Sequence, residues 1–195
     1  MTDKPFTVLV VCTGNVVRSP LAEQILAASA ETALPAEVAA QVRIESAGTE
    51  APVGAPMAPP AAEISTRVGA HPTGHRARQL TIDMVRDSDL TLVATREHRK
   101  AIARMHPRSA RTLFTIREFA RVAAVFGAEE PDAPRSADEL RGLVVQAAAR
   151  RGYQPLLDPA LDDIVDPIGR SEKTYRRMAE ELVPAVRAVA ELLFR

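Results

Sequence analysis

The run Phe6-Thr7-Val8-Leu9-Val10-Val11 is apolar at almost every position, rich in β-branched residues, and ends in a cysteine and a glycine-bearing turn. A strand this uniformly apolar has no face to give to water, so it belongs at the centre of a parallel sheet covered by helices on both sides. From Arg18 to about Thr32 the pattern turns helical, with Leu21 and Ile25 four apart, Ala22 and Leu26 beside them, and Pro20 at home in a first turn. Strand, tight loop and helix in that order make the opening of a βα unit.

The rest of the chain repeats the alternation. Residues 41–49 alternate apolar and polar before Gly48, the pattern of a second strand nearer the sheet edge. Residues 51–60 carry four prolines and read as a loop, followed by a weak helix over Pro60–Val68 that Gly69 stops. A short helix is expected at 82–86 and a third strand at 90–94, with Thr95 as N-cap for a helix over 96–105 that Pro107 ends. A fourth strand at 111–116 leads into a helix near 117–126. After an acidic, proline-bearing connection, Ser136 and Glu139 form a capping box for a helix reaching about Arg151. A turn-rich loop over 153–169 then precedes a last helix, capped by Ser171, striped by Tyr175, Met178, Leu182, Val186, Val189 and Leu193, and bent at Pro184. The fold class expected is α/β, a three-layer sandwich on a four-stranded parallel sheet. The whole of 1–195 reads as a single domain, elaborated at about 127–157.

Charge narrows the partners. Twenty-five basic residues balance twenty-five acidic ones, which removes the electrostatic case for a general nucleic-acid or membrane binder. Met1–Pro5 is polar and leads straight into the first strand, so no signal peptide is expected, and no apolar run approaches membrane length. A single cysteine permits no internal disulfide, and the cytoplasm is the expected home. Residues 96–121 hold eight Lys or Arg against two acids, which reads first as a solvated helical face and second as a docking patch for acidic or phosphorylated protein.

Chemistry concentrates at the end of the first strand. Cys12 and Arg18, with five residues between them, can wrap a short loop around one anion, the sulfur below it and the guanidinium beside it, with backbone N–H groups of Thr13, Gly14, Asn15, Val16, Val17 and Ser19 converging on the same point. That setting favours thiolate over thiol. Arg18 can grip two phosphate oxygens and follow their charge as the group transfers. Gly14 and Asn15 are residue types that accept the left-handed backbone such a loop needs. Ser19 either donates a hydrogen bond to the sulfur or caps the helix; spacing alone leaves both open. A general acid must hang over the site on a loop, and a following proline stiffens such a loop, which singles out Asp158 and Asp166 from Asp158, Asp162, Asp163 and Asp166.

Val11-Cys12-Thr13-Gly14-Asn15-Val16-Val17-Arg18-Ser19-Pro20-Leu21-Ala22-Glu23 resembles the signature of the low-molecular-weight protein tyrosine phosphatases. The resemblance extends in order to Ser46-Ala47-Gly48-Thr49, His75-Arg76-Ala77-Arg78-Gln79-Leu80, Asp87-Ser88-Asp89-Leu90 and Asp166-Pro167. It implies a metal-free, cofactor-free phosphatase with Cys12 as nucleophile, Arg18 as clamp and Asp166, the aspartate-proline shortly before the last helix, as acid. It further implies that Asn15, Ser46 and His75 support the loop, and that the partner is a phosphorylated protein, phosphotyrosine first, with oligomeric state left undetermined.

The chain departs from the family pattern in two respects. Val17 stands where many members carry a second cysteine, so an oxidised Cys12 needs an external thiol for rescue. Ile168 and Thr13 supply no aromatic walls for a substrate ring. The rival expectations are a thiol-linked arsenate reductase and a non-catalytic phospho-binding module.

Overall fold

The computed structural model describes residues 4–126, 134, 136–153 and 158–195. Four parallel strands form one sheet: β1 (Phe6–Cys12), β2 (Val42–Gly48), β3 (Leu90–Val93) and β4 (Leu113–Thr115), in the order β2-β1-β3-β4. β1 pairs along its whole length with β2, from Phe6 opposite Val42 to Cys12 opposite Gly48, and on its other side sets Val8 to Val11 against Leu90 to Val93. All seven β1 residues are buried, as a central strand requires.

The strand's two-residue period divides the interior. Phe6, Val8 and Val10 join the larger core under α1 (Arg18–Ala33), α6 (Ile116–Phe126), α7 (Ala137–Arg150) and α8 (Glu172–Phe194). Leu9 and Val11 join a smaller one with Val85 of α4 (Ile82–Asp87) and Ile102 of α5 (Arg96–Met105). Three layers result, and the expected sandwich is the fold observed. The short α2 (Ala36–Ala39) was not expected, and α3 (Pro59–Arg67) starts one residue earlier than the prolines suggested.

Local chemistry sets most boundaries. Thr95 Oγ1 accepts from the His98 N–H and Ser136 Oγ from the Glu139 N–H, each capping its helix. Ser171 precedes α8, but its hydroxyl meets Thr174 Oγ1 and makes no bond to the backbone, so the expected side-chain cap is absent. The helix runs on through Pro184 without a break in its assignment. Residues Pro107–Arg111 form a 3-10 turn, which shortens the fourth strand to three residues. Of the 127–157 elaboration, residues 127–133, 135 and 154–157 lie outside the described residues. Its helix, α7, packs Leu140, Val144 and Ala147 into the larger core.

Strand order decides where a ligand can sit. The chain leaves β1 toward α1 on one face and leaves β3 toward α5 on the other, so the carboxyl ends of these adjacent strands open a crevice between them.

Candidate active site

The loop between β1 and α1 occupies that crevice. Its carbonyls are tied outward: Cys12 O accepts from Thr49 N–H, Thr13 O from Glu50 N–H, Asn15 O from His75 Nε2 and Val16 O from Ala58 N–H, at 2.6–2.9 Å. Because the trans peptide is planar, each such carbonyl turns the N–H of the next residue the opposite way, which aims those of Thr13, Gly14, Val16 and Val17 into the loop. Helix α1 begins at Arg18 with no side-chain cap, so its first N–H groups are free to face the same point.

Of the two residues expected to turn left-handed, only Asn15 does, at φ 52°; Gly14 has a negative φ, and a Cβ there would make an ordinary contact with Val16 Cγ2 at 3.5 Å. The glycine the loop requires is Gly48 on β2, where a Cβ would sit 2.4 Å from Thr13 O and 2.9 Å from Asn15 N. A loop curled tightly enough to converge its amides lies directly on the neighbouring strand, and only a hydrogen fits between them.

Cys12 is 2% exposed, its Sγ 3.0 Å from Ser19 Oγ. Ser19 accepts from Asn15 Nδ2 at 3.0 Å, so its own proton is shared between the sulfur at 3.0 Å and Ala47 O at 3.4 Å; the hydroxyl makes no capping bond. Asn15 Nδ2 also donates to Ser46 Oγ at 2.7 Å, Asn15 Oδ1 accepts from Arg78 N–H at 2.8 Å, and Ser46 Oγ donates to Glu23. Burial pushes the Glu23 carboxyl up, against the Ser46 hydrogen bond and the charges of His75 and Arg78. Asn15, Ser46 and His75 thus meet beneath the loop.

Arg18, with its side chain 4% exposed, pairs with Asp166, donates from Nη1 to Ile164 O at 3.2 Å and from Nη2 to Thr13 Oγ1 at 3.3 Å. The other loop aspartates are spent elsewhere. Asp158 caps the 3-10 turn Pro159–Asp162 through Ala160 N–H, Asp162 pairs with Arg121, and Asp163 pairs with Arg96. Only Asp166 meets the Cys12–Arg18 loop.

Val16 is half-buried and Val17 buried, so they offer the loop their amides rather than their side chains. Beside Arg18 a groove runs along α5, lined by Thr13, Thr49, Glu50, Glu97, Lys100 and Arg104; no Phe, Tyr or Trp lines it among the described residues. Ile168 is half exposed, its N–H bonded to Asp166 Oδ1.

Sequence reasoning passed over His98. It lies in the first turn of α5, 7% exposed, its Nε2 3.0 Å from Thr13 Oγ1 and its Nδ1 2.7 Å from Thr95 Oγ1. Burial pushes the imidazole down to about 4, the Arg18 cation adds to that, and Asp166 and Asp163 oppose it. The only local signal was a histidine three residues after a capping threonine, which carries no weight until β1 and β3 are known to be neighbours.

A family model described as low molecular weight phosphotyrosine protein phosphatase matches residues 7–146, a stretch that contains the loop and stops before Asp166. The probable low molecular weight protein-tyrosine-phosphatase AmsI of Erwinia amylovora is 41% identical over 101 residues, covering 52% of this chain and 64% of that protein. The match thus spans less than two thirds of the relative's length. Among solved structures, the tyrosine phosphatase amsI of Erwinia amylovora superposes with a TM-score of 0.67 at 24% identity, covering 97% of this chain and 93% of that one. The YwlE arginine phosphatase from Geobacillus stearothermophilus superposes at 0.64 and 24%, covering 96% and 92%. At these identities the superpositions speak for the fold.

Proposed function

The chain belongs to the low molecular weight phosphotyrosine protein phosphatase family, and from that premise we propose that it is a cysteine-dependent phosphatase hydrolysing phosphotyrosyl protein, or related phosphomonoesters, through a phosphocysteine intermediate. The observation that carries the reading is the meeting of Arg18 with Asp166 beside the Cys12 loop, 148 residues apart in sequence. Cys12 Sγ attacks phosphorus as the bond to the leaving oxygen breaks, and Asp166 gives that oxygen its proton. Water then attacks the phosphocysteine, Asp166 takes a water proton, and the sulfur leaves as thiolate under the Ser19 hydrogen bond. Arg18 and the loop amides hold the equatorial oxygens through both transfers.

No helix among the described residues is long and apolar enough to cross a membrane. A thiol nucleophile without a shielding neighbour at Val17 suits the reducing cytoplasm.

A second substrate, phosphoarginine, is favoured by one feature: no Phe, Tyr or Trp among the described residues lines the groove beside the clamp, whose walls set Glu50 and Glu97 beside Arg96, Lys100 and Arg104. The YwlE neighbour is by its title an arginine phosphatase. The deciding experiment is turnover of phosphotyrosyl, phosphoseryl and phosphoarginyl peptides by the parent and by Cys12→Ser. The proposal expects phosphotyrosyl turnover that the substitution abolishes while inorganic phosphate still binds. Turnover that survives Cys12→Ser sinks it, and thiol-dependent arsenate reduction without phosphatase turnover would assign the site to the reductase instead.

A further inference from the structure

In this structure Arg18 Nη2 holds Asp166, yet the acid must leave the guanidinium to reach a departing oxygen. Two neutral acceptors on other elements then remain to keep the guanidinium in its plane: Ile164 O at Nη1 and Thr13 Oγ1 at Nη2. The Ile164 carbonyl is rigid, its residue tied through its N–H to Ala94 O at 2.9 Å. A threonine hydroxyl is different, because its proton swings about the C–O bond and its lone pairs swing with it. Something must hold that proton.

His98 Nε2, 3.0 Å away, is placed to do so. The ring is itself fixed at Nδ1 by Thr95, whose hydroxyl oxygen also caps α5. The charged groups around the imidazole are Arg18, Asp166 and Asp163, and burial together with the nearby cation keeps it neutral. With the Arg18 cation just beyond Thr13, the favourable tautomer points the Nε2 lone pair toward that cation and sends the ring proton to Thr95. The resulting chain runs in one direction: Nδ1–H donates to Thr95, Nε2 accepts from the Thr13 hydroxyl, and Thr13 Oγ1 accepts from Arg18.

We propose that His98 is a positioning residue for the phosphate clamp: by accepting the Thr13 hydroxyl proton it fixes Thr13 Oγ1 as the standing acceptor of Arg18 Nη2, so that the guanidinium keeps its orientation when Asp166 moves to the leaving group. This rests on the phosphatase reading of Arg18, and it adds a link from α5, after β3, to the loop after β1.

The test measures inorganic phosphate binding by titration calorimetry in the Cys12→Ser protein, apart from turnover. Thr13→Val and His98→Leu should each weaken binding roughly 5- to 10-fold, the net scale of one ordinary hydrogen bond. Because they break one chain, the double variant should bind no more weakly than either single one. His98→Gln, whose amide oxygen reaches the Nε2 position, should restore most of the loss where Thr13 is kept and none of it in the Thr13→Val background. Losses that multiply in the double variant, or a folded His98→Leu protein that binds like its parent, overturn the inference and leave the phosphatase reading standing. No phosphate binding by the Cys12→Ser parent overturns both. If His98→Leu does not fold, Thr13→Ser against Thr13→Val decides: serine must restore the binding that valine loses, and equal binding by the two refutes the chain.

Discussion

Asp163 accepts from the main-chain N–H of Arg96 at 2.7 Å and from its guanidinium Nη2 at 2.9 Å, tying the start of α5 to the segment that carries Asp166. Asp162 pairs with Arg121 of α6, and Arg117 Nη1 donates to Asp163 O. The basic run at 96–121 is therefore divided: Lys100, Arg104, Arg108 and Arg111 are exposed, as a solvated face requires, while the other four bond inward. Arg96, Arg117 and Arg121 are spent on the acid loop, and Arg99 on Glu118. Each pair is partly exposed and worth little alone; what they provide together is position.

Asp163→Ala should lower kcat about tenfold and change KM little, since loosening an acid by about 1 Å can cost up to ~100-fold. Steady-state rates on aryl phosphates of graded leaving-group acidity provide the check. The loss should grow as the leaving group becomes poorer, because a good leaving group needs no proton. A uniform loss would show that the tether does not serve the acid.

Gly48→Ala should abolish most phosphate binding and cost about 1–3 kcal/mol of stability, the usual scale for forced overpacking. The obstructing atoms, Thr13 O, Asn15 N and Gly14 C, are backbone and cannot rotate away. Gly14→Ala meets nothing closer than Val16 Cγ2 at 3.5 Å and has a negative φ, so it should be far milder. Denaturant melts and phosphate titrations of the two variants would check this; equal damage from both would contradict it.

His98 predicts a pH dependence of stability. Its folded value, pushed down to about 4 by burial and by Arg18, lies below the ordinary 6.5, so between these limits the unfolded chain binds a proton that the folded one refuses. Stability therefore rises with pH from about 4 to 6.5 and is indifferent to this group above that, with a slope of at most about 1.4 kcal/mol per pH unit. In His98→Gln the slope across that window should be shallower by up to one proton. Urea midpoints at pH 4.5, 5.5, 6.5 and 7.5 measure it, and identical slopes in the two proteins would refute a buried neutral imidazole.

Arg151 anchors the end of α7. Its guanidinium stacks 3.6 Å from the Phe114 ring centroid, pairs with Glu118 Oε1 at 2.9 Å and donates to Ala110 O and Leu113 O. Arg151→Met should cost about 2–4 kcal/mol, since it strips the buried Glu118 carboxylate of one of its two arginines and leaves Leu113 O without its donor. Turnover should stay at the parent level, because nothing in this cluster touches the loop. Unfolding midpoints and p-nitrophenyl phosphate rates separate the two effects, and a fall in turnover at unchanged stability would argue against it.

The sequence by itself determined what local physics can carry. The all-apolar run at Val8–Val11 demands a central strand, and Thr95 and Ser136 cap their helices because a side-chain oxygen needs to reach only two or three residues ahead. The Cys12–Arg18 spacing, the following helix start and the proline after Asp166 were readable for the same reason. The bonding partners of the four loop aspartates were not, because each lies 41 to 148 residues away or in a turn that closes only in the fold. Gly48 and His98 were equally silent, since each matters only for what the neighbouring strand's loop puts against it. Tertiary structure alone decided that β1 lies between β2 and β3, and that order brings Gly48 under the loop and His98 beside Thr13. Hydrogen bonds of about 3 Å reach one strand's spacing and no further, so which strands are neighbours decides which side chains can act together.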